Sequence, residues 1–171
     1  MSQDLNQISL CSVHRDDLPK IKEMAEEIWP ICYREIITAA QIQYMLNQMY
    51  SLEVLSRELS EEQVDYRWIE WGHQPIGFLA VGPSTDSARA ILHKLYLLSE
   101  HQGKGLGVGA MEALFRHTKP HYRHLELRVN KSNSPAIRFY EKLGFHRERE
   151  DVLTIGGGFV MDDYIMRRSL E

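Results

Sequence analysis

The stretch Gln102-Gly103-Lys104-Gly105-Leu106-Gly107 decides the fold of this chain. It follows an alternating apolar run from Ala88 to Leu97 and precedes an apolar helical pattern that stops at Pro120. Glycines at these positions let the backbone turn tightly, so that successive N–H groups point towards one place. Because the start of the following helix adds a partial positive charge, the stretch predicts a turn that binds a phosphate or pyrophosphate.

The chain before this turn carries the patterns of one strand, three helices and a hairpin. Ile8 begins a short strand, and Asp16 and Asp17 before Leu18 supply helix-start signals. We expect this first helix to break near Pro30, because proline lacks a backbone N–H and clashes with the preceding turn. A helix begun by the capping box Thr38 to Gln41, a short helix over 52–59 and a hairpin over 66–81 follow.

After the turn, the patterns predict a helix, a strand, a second helix and a closing hairpin. The strand covers 125–129, and Ser134 with Pro135 forms an N-cap and N1 pair that starts the second helix. That helix ends before Gly144. The hairpin covers 145–166. This order of strands and helices predicts one mixed α/β domain over residues 1–171.

Length and composition exclude several classes of protein. A chain of 171 residues with 43% hydrophobic content has the size of one compact domain. Its net charge of -4 comes from acidic and basic side chains mixed along the chain, which gives no uniform field for binding nucleic acid or membrane lipid. Cys11 and Cys32 have no metal-ligand spacing, and the first residues lack a signal-peptide pattern. We therefore expect a cytoplasmic protein with free thiols.

The glycine-rich stretch also satisfies a second kind of nucleotide-binding pattern. Gly105-x-Gly107-x-x-Ala110 fits the dinucleotide fingerprint, and Glu126 lies at a suitable distance downstream. A dinucleotide-binding fold places this turn after its first strand, whereas here a hairpin precedes the turn. A nicotinamide-linked oxidoreductase therefore remains only as an alternative, which binding of NAD(H) would reveal.

A second motif, Asn133-x-x-Ala136-x-x-Phe139-Tyr140-x-x-x-Gly144-Phe145, follows the predicted strand over 125–129. Together the two motifs resemble those of the GNAT superfamily of acetyltransferases, whose coenzyme A signature is Gln/Arg-x-x-Gly-x-Gly/Ala. Gln102, Gly105 and Gly107 fill that signature. The resemblance is firm from about Ile76 to Phe145. Outside that span, the helices over 38–59 and the terminal hairpin are similar to those of bacterial polyamine acetyltransferases.

The resemblance implies a GNAT-like acyl-CoA acyltransferase fold of the α/β class, in which helices flank a central, mostly antiparallel sheet with one splayed parallel strand pair. It implies acetyl-CoA as co-substrate, with the pantetheine arm between the splayed strands and the pyrophosphate on the glycine-rich turn. Asn133 would hydrogen-bond the pantetheine arm, and Lys104 and Lys142 either meet phosphates or are solvated surface side chains. The cofactor-binding residues implied in this way are Leu95, Tyr96, Leu97, Gln102, Gly103, Lys104, Gly105, Leu106, Gly107, Asn133, Ala136, Tyr140 and Lys142.

Acetyl transfer to an amine needs a proton acceptor and a proton donor. An alkylammonium with a pKa of about 10.4 is deprotonated in roughly one molecule in 2,500 at pH 7. By strand position, His93 and Glu70 are the candidate bases. The alternative is that His93 is a strand histidine with its hydrogen bonds satisfied and that Glu70 only pairs with a neighbouring cation. The resemblance assigns Tyr140 as the acid that protonates the departing thiolate, although Tyr140 also fits a core aromatic. Neither cysteine lies near the two motifs, which favours direct attack over an acyl-enzyme.

We therefore expect an N-acetyltransferase that passes acetyl from acetyl-CoA to a primary amine in a ternary complex. A non-catalytic acyl-CoA-binding or partner-binding domain is the alternative. The acceptor is a small-molecule or peptide amine, and family habit favours a homodimer. No metal is expected, because Pro120 breaks any helix face that His117, His121 and His124 could share.

Two sets of side chains remain open between an acceptor pocket and ordinary packing or solvent. If the acceptor is a polyamine, carboxylates should line its pocket, and the candidates are Glu26, Glu27, Glu35, Glu53 and Glu70. The apolar and aromatic candidates, which otherwise form core, are Tyr33, Tyr44, Met45, Tyr50, Trp68 and Trp71.

Overall fold

The structure, a computed structural model, describes residues 7–171 and has a sheet at its centre. Its strands are β1 (Ile8–Ser12), β2 (Asp65–Trp71), β3 (Gln74–Pro83), β4 (Arg89–Leu97), β5 (His124–Asn130), β6 (His146–Gly156) and β7 (Phe159–Ser169). Within the described residues these seven strands lie in the order β1-β2-β3-β4-β5-β7-β6. All neighbours are antiparallel except β4 and β5, which run parallel.

Helices cover both faces of the sheet. They are α1 (Leu18–Tyr33), α2 (Ala39–Met49), α3 (Leu52–Ser60), α4 (Leu106–Thr118) and α5 (Ser134–Lys142). The helices α1 to α3 share one core with one face of the sheet, and α4 and α5 share a second core with the other face. Because side chains alternate along a strand, the neighbours Phe78 and Leu79 on β3 belong to opposite cores. This layered α/β architecture confirms the predicted fold class.

The parallel pair β4 and β5 separates part-way along its length. Residues Arg89 to Leu92 pair with His124 to Leu127, and the remainder of β4 does not pair with β5. Over its whole length β5 pairs with β7 instead. The sheet is therefore split between these two strands at their carboxyl ends, as the predicted splayed pair requires.

The prediction that the first helix breaks near Pro30 is wrong. Pro30 lies inside α1, which continues to Tyr33. The missing N–H of proline removes only its own helical hydrogen bond. Aromatic packing holds the turn that follows, because the rings of Trp29 and Tyr33 lie 4.6 Å apart.

The start of α5 also differs from the prediction by one residue. Asn133 is the N-cap, and its side-chain oxygen accepts a hydrogen bond from the N–H of Ala136 at 3.3 Å. Ser134 and Pro135 therefore occupy the first two helical positions, where a missing proline N–H costs nothing. Asparagine and serine are about equally good N-caps, so a start one residue earlier costs the helix little.

Within residues 7–171, no helix is both long enough and apolar enough to cross a bilayer.

Candidate active site

A cavity of about 840 Å³ lies at the split between β4 and β5. Two groups of residues line it, and they belong to opposite sides of the sheet. We call the loop 102–107 together with the α5 segment 133–140 the glycine side. We call the cluster of Tyr33, Glu58, Lys94, Arg128 and Asp163 the acidic side.

A β-bulge in β4 marks the point at which the strands separate. Ala80 pairs with Lys94 and Val81 with Leu92, so His93 is the extra residue of the bulge. Beyond the bulge, β4 stays close to β3. The approach is so tight that a Cβ on Gly77 would overlap the carbonyl oxygen of Tyr96. The last residues of β4 therefore follow β3 and leave β5, which opens the cavity.

The glycine loop is held in a conformation that suits an anion. Gly103 and Gly105 have φ values of 71° and 77°, a region that glycine enters without steric cost. Gly105 is the N-cap of α4, and nothing lies within 4 Å of the place where a side chain on Gly103 would begin. Gln102 Nε2 donates to the carbonyl oxygen of Leu97 at 2.9 Å, which ties the loop to the end of β4. Open space beside free N–H groups at a helix start fits a pyrophosphate.

The helix α5 brings a phenol to the cavity. Asn133, Ala136 and Tyr140 line the cavity from successive turns of this helix. Burial raises the pKa of Tyr140 above its ordinary value, and the neighbouring Tyr33 raises it further. Tyr140 therefore keeps its proton at neutral pH and can act as a proton donor.

The acidic side contains a buried lysine that is paired with a carboxylate. Lys94 is only 4% exposed, and its Nζ lies 2.8 Å from Glu58 Oε2. The hydroxyl of Tyr66 hydrogen-bonds both groups, and the rings of Tyr50 and Tyr66 lie beside the ammonium. Burial lowers the pKa of Lys94, whereas the charge of Glu58 opposes that shift. This pair crosses from α3 to β4 and forms one wall of the cavity.

A second ion pair stands on the β5 and β7 side of the split. Asp163 is 2% exposed, and its Oδ2 accepts from Arg128 Nε at 3.1 Å. Arg128 Nη1 also donates to Asp151 Oδ2 at 2.6 Å. Burial raises the pKa of Asp163, and Arg128 partly offsets this rise. On the α1 side of the sheet, the hydroxyls of Tyr33 on α1 and Tyr96 on β4 lie 2.8 Å apart.

Known proteins share both this sequence pattern and this architecture. The Acetyltransferase (GNAT) family profile matches residues 20–145. The chain belongs to the GNAT acetyltransferase family. It is 28% identical over 167 residues to the spermidine N(1)-acetyltransferase of Thermoplasma acidophilum, a match that covers 95% of this chain and 97% of that protein.

Solved structures agree with this assignment. The crystal structure of PaiA N-acetyltransferase from Thermoplasma acidophilum in complex with coenzyme A has a TM-score of 0.76 and 27% identity, and the match covers 95% of this chain and 98% of that one. A GCN5-related N-acetyltransferase from Rhodopseudomonas palustris has a TM-score of 0.80, and the match covers 99% of this chain and 98% of that one. At 14% identity, this match shows a similar fold. The predicted family, fold and acyltransferase class are confirmed.

Most of the residues expected to form the GNAT site line the cavity. They are His93, Leu95, Tyr96, Leu97, Gln102, Gly103, Gly105, Gly107, Asn133, Ala136 and Tyr140. Leu106, the first residue of α4, is buried in the core. Lys104 on the loop and Lys142 at the end of α5 are exposed. Glu70 lies on β2, with β3 between it and β4, and accepts a hydrogen bond from Cys11. The structure therefore does not bring Glu70 to the cavity.

The ring of His93 is directed towards β3. Its Nε2 lies 3.1 Å from the position that a Cβ on Gly82 would occupy, so the ring covers Gly82. The pKa of His93 is lowered, first by desolvation and then by the charge of Lys94, although a good part of the residue is exposed. His93 is therefore neutral at pH 7, and it lines the cavity from the β3 side.

The structure divides the candidates for the acceptor pocket into residues that line the cavity and residues that do not. Tyr33 and Met45 line the cavity, whereas Tyr50 and Trp68 are buried in the core. Trp71 packs on the opposite core, and the hydroxyl of Tyr44 donates to the carbonyl oxygen of Ile155. None of the five glutamates considered for a polyamine pocket lines the cavity: Glu26, Glu27, Glu35, Glu53 and Glu70. Glu58 and Asp163 take that position instead, and no local sequence signal marks either residue.

The two remaining sequence inferences concern cysteine and histidine. The statement that neither cysteine lies near the motifs is wrong for Cys32, which lines the cavity with its Sγ 3.7 Å from Gln102 Nε2. His117 pairs with Asp65 Oδ2 at 2.9 Å on the surface. Among the described residues, no group of three histidine, cysteine or acidic side chains is placed to hold a metal ion.

Proposed function

We propose that this chain is an N-acetyltransferase that transfers acetyl from acetyl-CoA to a primary amine of a small molecule by direct attack in a ternary complex. The observation that carries the proposal is the cavity between β4 and β5, which has the glycine side on one face of the sheet and the acidic side on the other. An anionic coenzyme suits the first side, and a cationic amine suits the second. The opening in the sheet is where the two substrates would meet.

Several features of the glycine side support binding of coenzyme A. The loop at Gly103 to Gly107 presents N–H groups and open space to the pyrophosphate. The segment Leu95 to Leu97 has an edge that β5 does not pair with, and apart from the carbonyl oxygen of Leu97, which accepts from Gln102, that edge is available to the pantetheine amides. Asn133 lines the cavity beside this path. Lys104 and Lys142 are exposed and do not line the cavity, so they would meet only phosphates that extend beyond it.

Tyr140 is the proton donor in this proposal. Acetyl-CoA supplies the activated acetyl group as a thioester. As the amine nitrogen forms its bond to the carbonyl carbon, the C–S bond breaks and the sulfur needs a proton. The raised pKa of Tyr140 keeps its hydroxyl protonated, so the donor is present throughout the neutral pH range.

Direct attack is favoured over an acyl-enzyme on Cys32. Burial raises the pKa of the Cys32 thiol, and Gln102, the side chain that contacts it, is not a base. A protonated thiol is a poor nucleophile. Replacement of Cys32 with serine should therefore preserve turnover, whereas an acyl-enzyme mechanism would lose it.

A polyamine or similar small amine fits the acidic side. The related protein from Thermoplasma acidophilum is named as a spermidine N(1)-acetyltransferase. In this chain the carboxylates of Glu58 and Asp163 and the rings of Tyr33 and Tyr96 line the same cavity. Carboxylates and aromatic faces both attract alkylammonium groups.

The test is acceptor-dependent release of free coenzyme A thiol from acetyl-CoA. The panel contains spermidine, aminoglycosides, amino acids and short peptides, and mass spectrometry confirms one added acetyl group. Turnover with a small amine is the expected result. If the protein binds acetyl-CoA but no acceptor raises thiol release above hydrolysis, the proposal is wrong and a coenzyme-binding module replaces it.

A further inference from the structure

Asp163 is an unusual carboxylate because its side chain is buried and only one of its two oxygens accepts a hydrogen bond. It lies on β7 opposite Asn130, the last residue of β5, at the open end of the split in the sheet. Its Oδ2 accepts from Arg128, while Oδ1 makes no hydrogen bond within residues 7–171. Oδ1 is not sealed from solvent, unlike Nη2 of Arg128, which is buried without a partner. The side chain lines the cavity, so a ligand there can supply the missing donor.

The charges around Asp163 favour a cationic ligand. Arg128 forms ion pairs with two carboxylates, Asp163 and Asp151. Asp151 is half exposed and does not line the cavity, so Asp163 carries the negative charge at this wall. An alkylammonium would neutralise that charge and donate to Oδ1 of Asp163.

The other ionisable groups near the cavity are less suited to this role. Glu58 is paired one to one with Lys94 and also accepts from Tyr66, so its charge is already balanced. The ring of His93 lies against Gly82 on β3. Asp163 is the buried carboxylate that lines the cavity, and its second oxygen has no hydrogen-bond partner within residues 7–171.

We propose that Asp163 binds the reacting ammonium of the acceptor and takes its proton, an assignment that rests on the acetyltransferase function proposed above. The ammonium transfers one proton to Asp163 and becomes a neutral amine. Its nitrogen forms the N–C bond to the acetyl carbon while the C–S bond breaks. The leaving thiolate takes the Tyr140 proton, and the second proton lost by the nitrogen restores the phenol. The amide keeps the third proton, and Asp163 releases its proton to solvent.

The pH dependence of this step follows from the groups that face Asp163. They are Arg128 on β5, Asp151 on β6, Asp162 on β7 and Tyr33 on α1. Burial raises the pKa of Asp163, the contacts with Arg128 lower it, and the two aspartates raise it. Only the ionised form can accept a proton, so kcat/KM for the amine should fall as the pH drops through the pKa of Asp163.

The experiment compares three conservative variants of the full chain with wild type, using spermidine or the panel amine with the highest wild-type turnover. Asp163→Asn should lower kcat/KM for the amine about 100-fold or more, abolish the acidic limb of the pH profile and leave KM for acetyl-CoA unchanged. Asp151→Asn removes the other carboxylate from Arg128 but does not line the cavity. Asp162→Asn changes an exposed neighbour that pairs with Lys131. Both control variants should retain the acidic limb and stay within about threefold of wild-type activity, because exposed ion pairs contribute little.

Several outcomes would overturn the assignment. If Asp163→Asn and Asp151→Asn lose activity equally, Asp163 only positions Arg128. If the acidic limb survives in Asp163→Asn and disappears in His93→Ala, the base is His93. If Asp163→Asn does not fold, Asp163→Glu replaces it, and a wild-type kcat/KM for the amine in that variant, whose carboxylate is displaced by one methylene, contradicts the proposal. A wild-type protein without turnover on any panel amine refutes the proposed function instead, which separates the two failures.

Discussion

The glycine side and the acidic side of the cavity are assembled from the chain in different ways. The glycine side comes from two short segments, 102–107 and 133–140, each of which carries a motif of fixed spacing. The acidic side comes from α1, α3, β4, β5 and β7, with single residues that lie far apart in the sequence. The first side is therefore visible before folding, whereas the second exists only after the sheet and helices have come together.

The two sides also use different chemical groups. The glycine side relies on backbone N–H groups, a helix start and space left by absent side chains. The acidic side relies on ionised side chains whose charge depends on burial and on their partners. Substitutions on the glycine side should therefore change coenzyme binding and proton donation, and those on the acidic side should change stability and acceptor use.

The largest expected effect is the loss of the Tyr140 hydroxyl. Tyr140→Phe should lower kcat about 10²- to 10³-fold, because the thiolate then leaves without its proton donor. Burial raises the pKa of Tyr140, so the wild-type rate should show no alkaline fall from this group below about pH 10. The measurement is steady-state release of coenzyme A thiol from pH 6 to 10. Tyr164→Phe, which removes a hydroxyl elsewhere in the partly buried sheet, is the control, and equal turnover by Tyr140→Phe and wild type contradicts the assignment.

The next effect concerns the buried ion pair of the acidic side. Lys94→Met should lower the free energy of unfolding by about 3 kcal/mol, because it leaves Glu58 without its buried cation. The double variant Lys94→Met with Glu58→Leu should recover much of this loss, since no unpaired charge remains. Urea unfolding of wild type, both single variants and the double variant measures the coupling. If the double variant loses as much stability as the two single variants together, Lys94 and Glu58 have no energetic coupling.

These two residues illustrate what the sequence does and does not predict. Tyr140 stands in a motif of fixed spacing, and the family resemblance of that motif placed it beside the coenzyme, whereas the helical pattern alone also fitted a core aromatic. The order of strands and helices was also predictable, because periodicity and turn residues are local signals. Lys94 lies in an alternating strand with nothing nearby to indicate that Glu58 would meet it.

The errors have the same origin in contacts between distant segments. Pro30 is tolerated in α1 because Trp29 and Tyr33 pack on each other and Tyr33 meets Tyr96 on β4. Cys32 reaches Gln102 because that same turn of α1 continues over the cavity. The helix end was assigned from a local rule, and tertiary packing overrode that rule.

A smaller effect tests whether the glycine loop needs its conformation for the coenzyme. Gly103→Ala and Gly158→Ala form a matched pair, since φ is 71° at one and 80° at the other and both have open space for a Cβ. Each substitution should cost about 1 kcal/mol of stability or slightly more, because a side chain disfavours the left-handed region. Only Gly103→Ala should also raise KM for acetyl-CoA, by about 3- to 10-fold, since Gly103 lines the cavity and Gly158 lies in the terminal hairpin. Equal KM values would show that the loop does not contact the coenzyme.

The smallest effect separates two roles of Asn133. Its Oδ1 caps α5 through the N–H of Ala136, while the amide nitrogen makes no hydrogen bond within the described residues, and Asn133 lines the cavity. Asn133→Ser keeps a capping oxygen and loses the amide donor, whereas Asn133→Ala loses both. Asn133→Ala should lower the midpoint of thermal unfolding by the equivalent of about 1 kcal/mol, and Asn133→Ser should leave it nearly unchanged. Both variants should raise KM for acetyl-CoA to a similar degree if the amide binds the pantetheine arm. A serine variant with wild-type KM would instead assign Asn133 to helix capping alone, and the glycine side would then bind its ligand through backbone groups.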